Sequence, residues 1–231
     1  MPKLKSRSEH AFDTLRTAIL VGRFEQGAPL KFQELQEVCG VSVSPVREAL
    51  TRLVAAGLVE GEHNRGYRVT YLSRADLDDL VRTRIQIEGM ALTRAIELGD
   101  THWEARAISC LHIIDRMPRL QSDEPHLHDE TWEKHHAAFH ESLIAACDSP
   151  ILLAFCRTLY DRADRYRRFS LTVESAPRDV AAEHRAILDA TLARKPKEAC
   201  ALLAEHYENT ARYVRDYLTE KERSAVAARE A

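Results

Sequence analysis

Residues 32–58 read FQELQEVCGVSVSPVREALTRLVAAGL, and this stretch decides what the remainder of the chain can be. It divides into two short helices around Cys39-Gly40-Val41. Leu35 and Val38 give the first helix an apolar side, and Val46, Leu50, Leu53 and Val54 give the second one. Ser42-Val43-Ser44-Pro45 opens the second helix. Proline in a first turn forfeits only an amide that has no intrahelical partner, and a preceding serine can cap that turn. A second helix that begins with small polar residues and an arginine has the layout of the recognition helix in a helix-turn-helix. An ordinary αα-corner carries the same local signature, so the flanking sequence has to decide.

Upstream, Phe12, Leu15, Ile19 and Leu20 repeat with a helical period across residues 8–21, and Gly22 ends the run. Residues 27–30, GAPL, read as a turn. Downstream, residues 58–60 and 67–71 form two short extended runs around a polar turn with His63, Asn64 and Arg65 at its tip, the pattern of a β-hairpin. Three helices followed by a hairpin make the winged variant of the helix-turn-helix, and a basic tip suits a DNA groove or backbone.

The chain has 231 residues, 45% of them hydrophobic and 30% charged, with 8 Gly and 8 Pro. That composition predicts a helix-rich globular protein with length enough for two small domains. No run approaches the roughly 18 apolar residues of a membrane span, and MPKLKSRSEH at the N-terminus lacks the apolar core of a signal peptide. The expected location is the cytoplasm, away from any membrane. The five cysteines, Cys39, Cys110, Cys147, Cys156 and Cys200, are odd in number and have no metal-ligand spacing, as reduced, mostly buried thiols would. Residues 1–70 carry 10 Lys/Arg against 8 Asp/Glu, and the rest carry 23 against 28. The small positive excess therefore sits with the helix pair.

After residue 72 the pattern changes to six helical segments, at about 73–98, 101–119, 129–147, 150–169, 175–193 and 196–218. Ser73 and Asp100 or Thr101 stand as caps, and short connections imply antiparallel neighbours. The predicted fold class is mainly α: an N-terminal winged helix-turn-helix with a small β-hairpin (residues 1–72), then a six-helix antiparallel bundle (residues 73–220). A charged, Ala-rich tail (residues 221–231) reads as a frayed helix end or a disordered segment.

The bundle carries most of the chemistry. His136 and His140 are four residues apart and share a helix face. His184 stands near the start of the fifth helix and His206 in the middle of the sixth. A bundle can aim such side chains at one interior point, where imidazoles suit Zn²⁺ or another borderline ion. Partly exposed histidines on amphipathic helices would have the same spacing. Arg84 and Glu88 are also four apart, near Arg82. An arginine entering an apolar bundle is a bidentate partner for a carboxylate ligand, whereas a surface ion pair is the plainer reading. Tyr160, Arg165, Tyr166 and Arg168 offer further anion contacts. No hydrolase elbow, phosphate loop or dinucleotide fingerprint occurs.

On LRTAILVGRF, GAPL, GVSVSPVREALTRL, GLV and NRGYRV at the N-terminus, and RIQIEGMAL, FHESLIAA and EHRAILDATLARKPKEACALLAEH beyond it, the chain resembles the GntR family of bacterial transcription regulators. The resemblance covers nearly all of residues 8–218 and is to members with a FadR-type C-terminal (FCD) domain, in the shorter VanR-like branch. It implies a homodimer on a palindromic double-stranded DNA operator, usually a repressor released by a small organic acid. By position, Arg47 matches the arginine that reads a base, best as a bidentate partner of guanine. Ser42 and Ser44 match neighbouring contacts, and His63, Asn64 and Arg65 match the wing tip. Val43 and Gln33 stand at contact positions where relatives place arginine, which changes operator sequence or affinity.

In metal-binding members the ligands are an Asp, a His four residues on, and one His from each of the last two helices. His140, His184 and His206 take the three histidine positions, and His136 replaces the Asp. The outcome is a four-His site or a three-His site with His136 as bystander. Without the carboxylate, Zn²⁺ or Ni²⁺ fits better than an oxygen-preferring ion, and Glu133 is a weak substitute ligand. Alternatively the histidines bind the anion directly, with Arg84 as the effector's other contact. Two other classes compete: a metal-dependent enzyme built on the histidines, and an architectural DNA binder with no effector.

Overall fold

The computed structural model describes residues 6–62, 66–120, 129–173 and 178–230. The expected wing-tip residues His63, Asn64 and Arg65 lie outside the described residues. The chain forms two compact units, Met1–Ser73 and Arg74–Ala231.

In the first unit, α1 (Arg7–Leu20) starts where Ser6 and Glu9 form a reciprocal capping box. The amide of Glu9 donates to Ser6 Oγ (3.1 Å) and the amide of Ser6 donates to Glu9 Oε2 (2.7 Å), satisfying two first-turn donors at once. α2 (Phe32–Cys39) and α3 (Val43–Ala55) are joined at Gly40, whose φ of 64° is the left-handed conformation that glycine adopts without cost. Ser42 is the N-cap of α3, but its side chain makes no capping hydrogen bond, contrary to the expected serine cap. Pro45 is the third helical residue, still inside the turn whose amides lack helical acceptors. Leu15, Leu35, Val46, Leu50, Leu53 and Leu58 form a core no more than 1% exposed. Val54, expected on the same face, is 39% exposed.

The sheet has three antiparallel strands in the order β1-β3-β2, where the sequence predicts two. β2 (Val59–Glu62) and β3 (Gly66–Val69) make the hairpin, with Val59 opposite Val69. β1 (Pro29–Leu30) lies where the sequence reads as a turn, and pairs Leu30 with Tyr67. Leu30 is buried, and a two-residue strand is too short to display alternation. Next to it, a side chain at Gly27 would meet the Tyr71 ring at 2.0 Å, so only glycine allows that approach.

The second unit contains α4 (Arg74–Leu98), α5 (Thr101–Asp115), α6 (Glu130–Ile144), α7 (Pro150–Val173), α8 (Val180–Leu192) and α9 (Pro196–Glu230). α4 packs on α9, α7 and α6, while α5 and α6 pair, as do α8 and α9. The buried side of α4 repeats at helical spacing through Leu77, Leu80, Val81, Arg84, Glu88, Ala91, Leu92 and Ala95, so two charged residues occupy core positions. Asp100 caps α5 by accepting from the Trp103 amide (2.9 Å), and Trp103 Nε1 donates to the Ser142 carbonyl (2.8 Å), tying α5 to α6. α9 continues as helix through the stretch read as a frayed or disordered tail. No helix among the described residues is long and apolar enough to cross a membrane.

Asp76, in the first turn of α4, holds that turn to α7. Its carboxylate accepts from Arg162 Nη2 (2.8 Å), Arg165 Nη2 (2.9 Å) and Tyr166 Oη (2.8 Å). Burial works to raise its pKa, but the Tyr166 hydrogen bond and the charges of Arg165 and Arg162 outweigh burial and hold it below the ordinary value. A carboxyl with a depressed folded-state pKa adds stability above its unfolded pKa, and that stability is lost as pH falls through the folded value. Asp76→Asn is expected to cost about 1–2 kcal/mol near neutral pH, given partial solvent screening. In urea unfolding, the gap between wild type and variant should narrow once pH drops below the ordinary aspartate pKa of about 4.

Candidate DNA-reading face and histidine site

At the start of α3, Ser42, Val43, Ser44 and Arg47 are all exposed, as is Gln33 in the first turn of α2. The Arg47 guanidinium carbon lies 5.4 Å from the centre of the Phe32 ring, a cation–π contact that steadies the side chain without consuming its hydrogen-bond donors. Gln33 Nε2 donates to Glu37 Oε1 at 3.4 Å along its own helix. The buried side of α3 thus builds the core, and its polar opening turn faces solvent.

The four histidines converge. His136 and His140 on α6, His184 on α8 and His206 on α9 are each no more than 5% exposed, and each offers a ligating atom within 4.8 Å of the other three. The Nε2 atoms of His136 and His140 are 3.1 Å apart. Ring centres are 4.8 Å apart for His184 and His206 and 5.2 Å for His140 and His206. Burial, reinforced by neighbouring positive charge, pushes His136, His140 and His184 well below the usual imidazole value. Burial also takes His206 down to about 4, against the pull of Glu183. All four rings are therefore neutral at pH 7, which is the metal-ligating form and a poor one for attracting an anion directly.

The hydrogen bonds behind the rings orient them. Glu183 Oε2 lies 2.8 Å from His206 Nδ1, and Arg178 donates to the same carboxylate through Nε (2.7 Å) and Nη2 (2.5 Å). Arg178 Nη2 also lies 3.2 Å from Nδ1, but the carboxylate is the nearer group and can only accept, so the hydrogen is assigned to Nδ1 and Nε2 is left bare. His136 Nδ1 sits 3.1 Å from Tyr160 Oη. His140 Nδ1 and His184 Nε2 are buried with no hydrogen-bond partner, which costs free energy; His140 turns its other nitrogen, Nε2, toward His136. Neutral nitrogen donors, an orphaned buried nitrogen and a carboxylate behind one ring are what a borderline divalent ion requires.

Beside the rings runs a cavity lined by Leu77, Leu80, Val81, Ala163 and Ala211, with Arg84, Tyr160, Tyr166, Arg167 and Tyr207 among its polar members. Arg84 is buried and donates through Nε to Glu88 Oε1 (2.6 Å), with its guanidinium carbon 3.9 Å from the centre of the Tyr207 ring. Tyr207 Oη donates to Glu88 Oε2 (2.5 Å). The Arg84–Glu88 pair is thus interior, whereas Arg82 is exposed and pairs with Asp79.

Arg167, like Tyr207, is a polar cavity residue that the sequence reading passed over. It ion-pairs with Asp164 and, through Nη1, donates to Glu133 Oε1 at 2.7 Å. Its position seven residues after Tyr160 on one helix face is the signal that could have found it. Glu133 is therefore committed to a guanidinium and stands outside the histidine group, so the expected substitute carboxylate is not among the candidate ligands. Arg168 turns to Glu130 and Asp164 and does not line the cavity.

Residues 7–69 match the family described as bacterial regulatory proteins, gntR family, and residues 79–209 match the FCD domain. The chain is 38% identical over 215 residues to an uncharacterised HTH-type transcriptional regulator, BphR of Paraburkholderia xenovorans (strain LB400), covering 93% of this chain and 87% of that protein. It is 33% identical over 197 residues to the HTH-type transcriptional repressor GlaR of Escherichia coli (strain K12), covering 83% and 88%. The solved structure of E. coli McbR/YncC has the same fold, with a TM-score of 0.72 at 22% identity over 93% of this chain and 100% of that one. These families and relatives are transcriptional regulators and not enzymes, which sets aside the reading of the histidines as a catalytic centre.

Proposed function

The chain belongs to the GntR family of bacterial transcriptional regulators, with an FCD domain as its C-terminal part, and from that premise we propose that it is a homodimeric repressor controlled by a small organic acid. The buried, neutral four-histidine group beside a cavity with two arginines carries this reading. The first 72 residues bind a palindromic operator, residues 73–220 bind the effector and the second subunit, and the protein works in the cytoplasm. Six helices in the second part suit the VanR-like branch.

Arg47 reads a base, with Ser42, Val43, Ser44 and Gln33 beside it and His63, Asn64 and Arg65 at the wing tip. The exposure of the described members of this set supports the assignment. His140, His184 and His206, joined by His136, would hold Zn²⁺ or Ni²⁺, the ions that all-nitrogen donor sets favour. When bound, the ion supplies a positive centre for a carboxylate. Arg84 meets the same carboxylate from the cavity wall, and the apolar wall takes the effector's carbon body. Control requires that the effector bind the dimer's DNA-competent and DNA-incompetent states unequally. For the second copy, Ile151 and Phe155 are one turn apart on α7 and 73% and 60% exposed, an unusual pair of apolar residues to leave in water.

Arg47→Ala is expected to weaken specific operator binding by about 1–3 kcal/mol. A gel-shift titration on DNA selected by the wild-type protein checks this, and unchanged affinity removes Arg47 from the interface. Zn²⁺ at a hundredfold excess over its Kd should stabilise the chelator-treated protein by about 2.7 kcal/mol, with further stabilisation from one member of a carboxylate panel. A melt that responds to neither would end the effector reading. Phe155→Glu should sediment as a monomer where the wild type sediments as a dimer.

A further inference from the structure

His136 occupies the position where the resemblance leads one to expect a carboxylate, and three contacts fix its ring. Trp132, one turn earlier on α6, stacks on it with ring centres 4.7 Å apart and planes 19° from parallel. Tyr160 Oη lies 3.1 Å from Nδ1, and His140 Nε2 lies 3.1 Å from Nε2. A neutral imidazole has one hydrogen for its two nitrogens. If Tyr160 donates to Nδ1, that hydrogen sits on Nε2 and the ring cannot ligate from the side facing the other histidines. If Nδ1 donates to the phenol oxygen, Nε2 is bare on the side of His140 Nε2, within a group whose four ligating atoms lie within 4.8 Å of one another.

The spacing favours the second arrangement in the presence of an ion. Two nitrogens bound to one ion at about 2.1 Å in tetrahedral geometry stand about 3.4 Å apart, close to the observed 3.1 Å. Trp132 bars the ring from turning over, so the tautomer rather than a ring flip decides whether Nε2 is available. We propose that His136 is a metal ligand through Nε2 and that Tyr160 is the positioning residue that makes it one, by accepting the Nδ1 hydrogen. The proposal rests on the metal reading above and resolves the choice it leaves between a four-His and a three-His centre. Tyr160 thus does for His136 what Glu183 does for His206, and the two rings are braced by outer partners from different helices.

The test is a titration of chelator-stripped full-length protein with Co²⁺ and Zn²⁺, reading affinity by competition and ligand geometry by the visible spectrum of bound Co²⁺. Wild type is expected to take one ion per chain. Tyr160→Phe, a change that leaves the ring in place, should bind about 10–100-fold more weakly with an altered Co²⁺ spectrum, while its metal-free melting stays near that of wild type. His136→Ala should lose a similar factor, and adding Tyr160→Phe to His136→Ala should cost nothing more, because a residue acting through His136 has no further effect once that ring is gone. If wild type binds one ion and Tyr160→Phe matches it in affinity and spectrum, Tyr160 is not a positioning residue. If His136→Ala matches it, His136 is a bystander. Two independent losses that add in the double variant would also overturn the proposal. Wild type that binds no ion would end the metal reading itself, a distinct outcome.

Discussion

Desolvation governs the second unit more than any apolar contact does. A helical bundle of this size can fill its interior with leucine, yet α4, α6, α8 and α9 bring in four imidazoles and the Arg84–Glu88 pair. Each buried charge costs several kcal/mol unless it is paired and hydrogen-bonded. The structure meets that requirement in pairs: Glu88 takes Arg84 and Tyr207, and Glu133 and Asp164 take Arg167. The imidazoles meet it differently, by staying neutral. The pairing stops short at His140 Nδ1 and His184 Nε2, both buried without a hydrogen-bond partner.

The two units divide the labour of hydrophobic burial unequally. The first buries its apolar residues in a small core and leaves the opening turn of α3 exposed. The second runs polar residues through its middle and leaves Ile151 and Phe155 on the outside. A fold optimised for stability alone would reverse both choices.

What could be read in advance follows from the range of the interactions. Spacing of four residues on one helix exposed the His136–His140 and Arg84–Glu88 pairings, because neighbours on a helix face are fixed by its pitch. The winged helix-turn-helix was legible because its turn, proline and hairpin signals are local. Burial of Arg84 depends on which side of α4 meets α9, and the meeting of His184 and His206 with His136 depends on how three helices cross, neither of which a period can specify. β1 escaped notice because two residues carry no alternation. Residues 219–230 looked frayed because they lack an apolar stripe, yet alanine, glutamate, lysine and arginine have high intrinsic helix propensity and continue α9 without one. Val54 fell outside the core because it stands at the edge of the α3 stripe, whose buried positions are Val46, Ala49, Leu50 and Leu53.

Tyr160 has one more consequence, which concerns its single hydrogen. A phenol that accepts from His136 must point its own O–H elsewhere, and Tyr160 lines the cavity that also holds Arg84 and Arg167. Filling the histidine centre would then swing that hydroxyl about its C–O bond and add a neutral donor to a wall whose guanidinium groups already have carboxylate partners. Ion and effector would be coupled through the turn of one hydroxyl. No helix need shift for the first site to prepare the second.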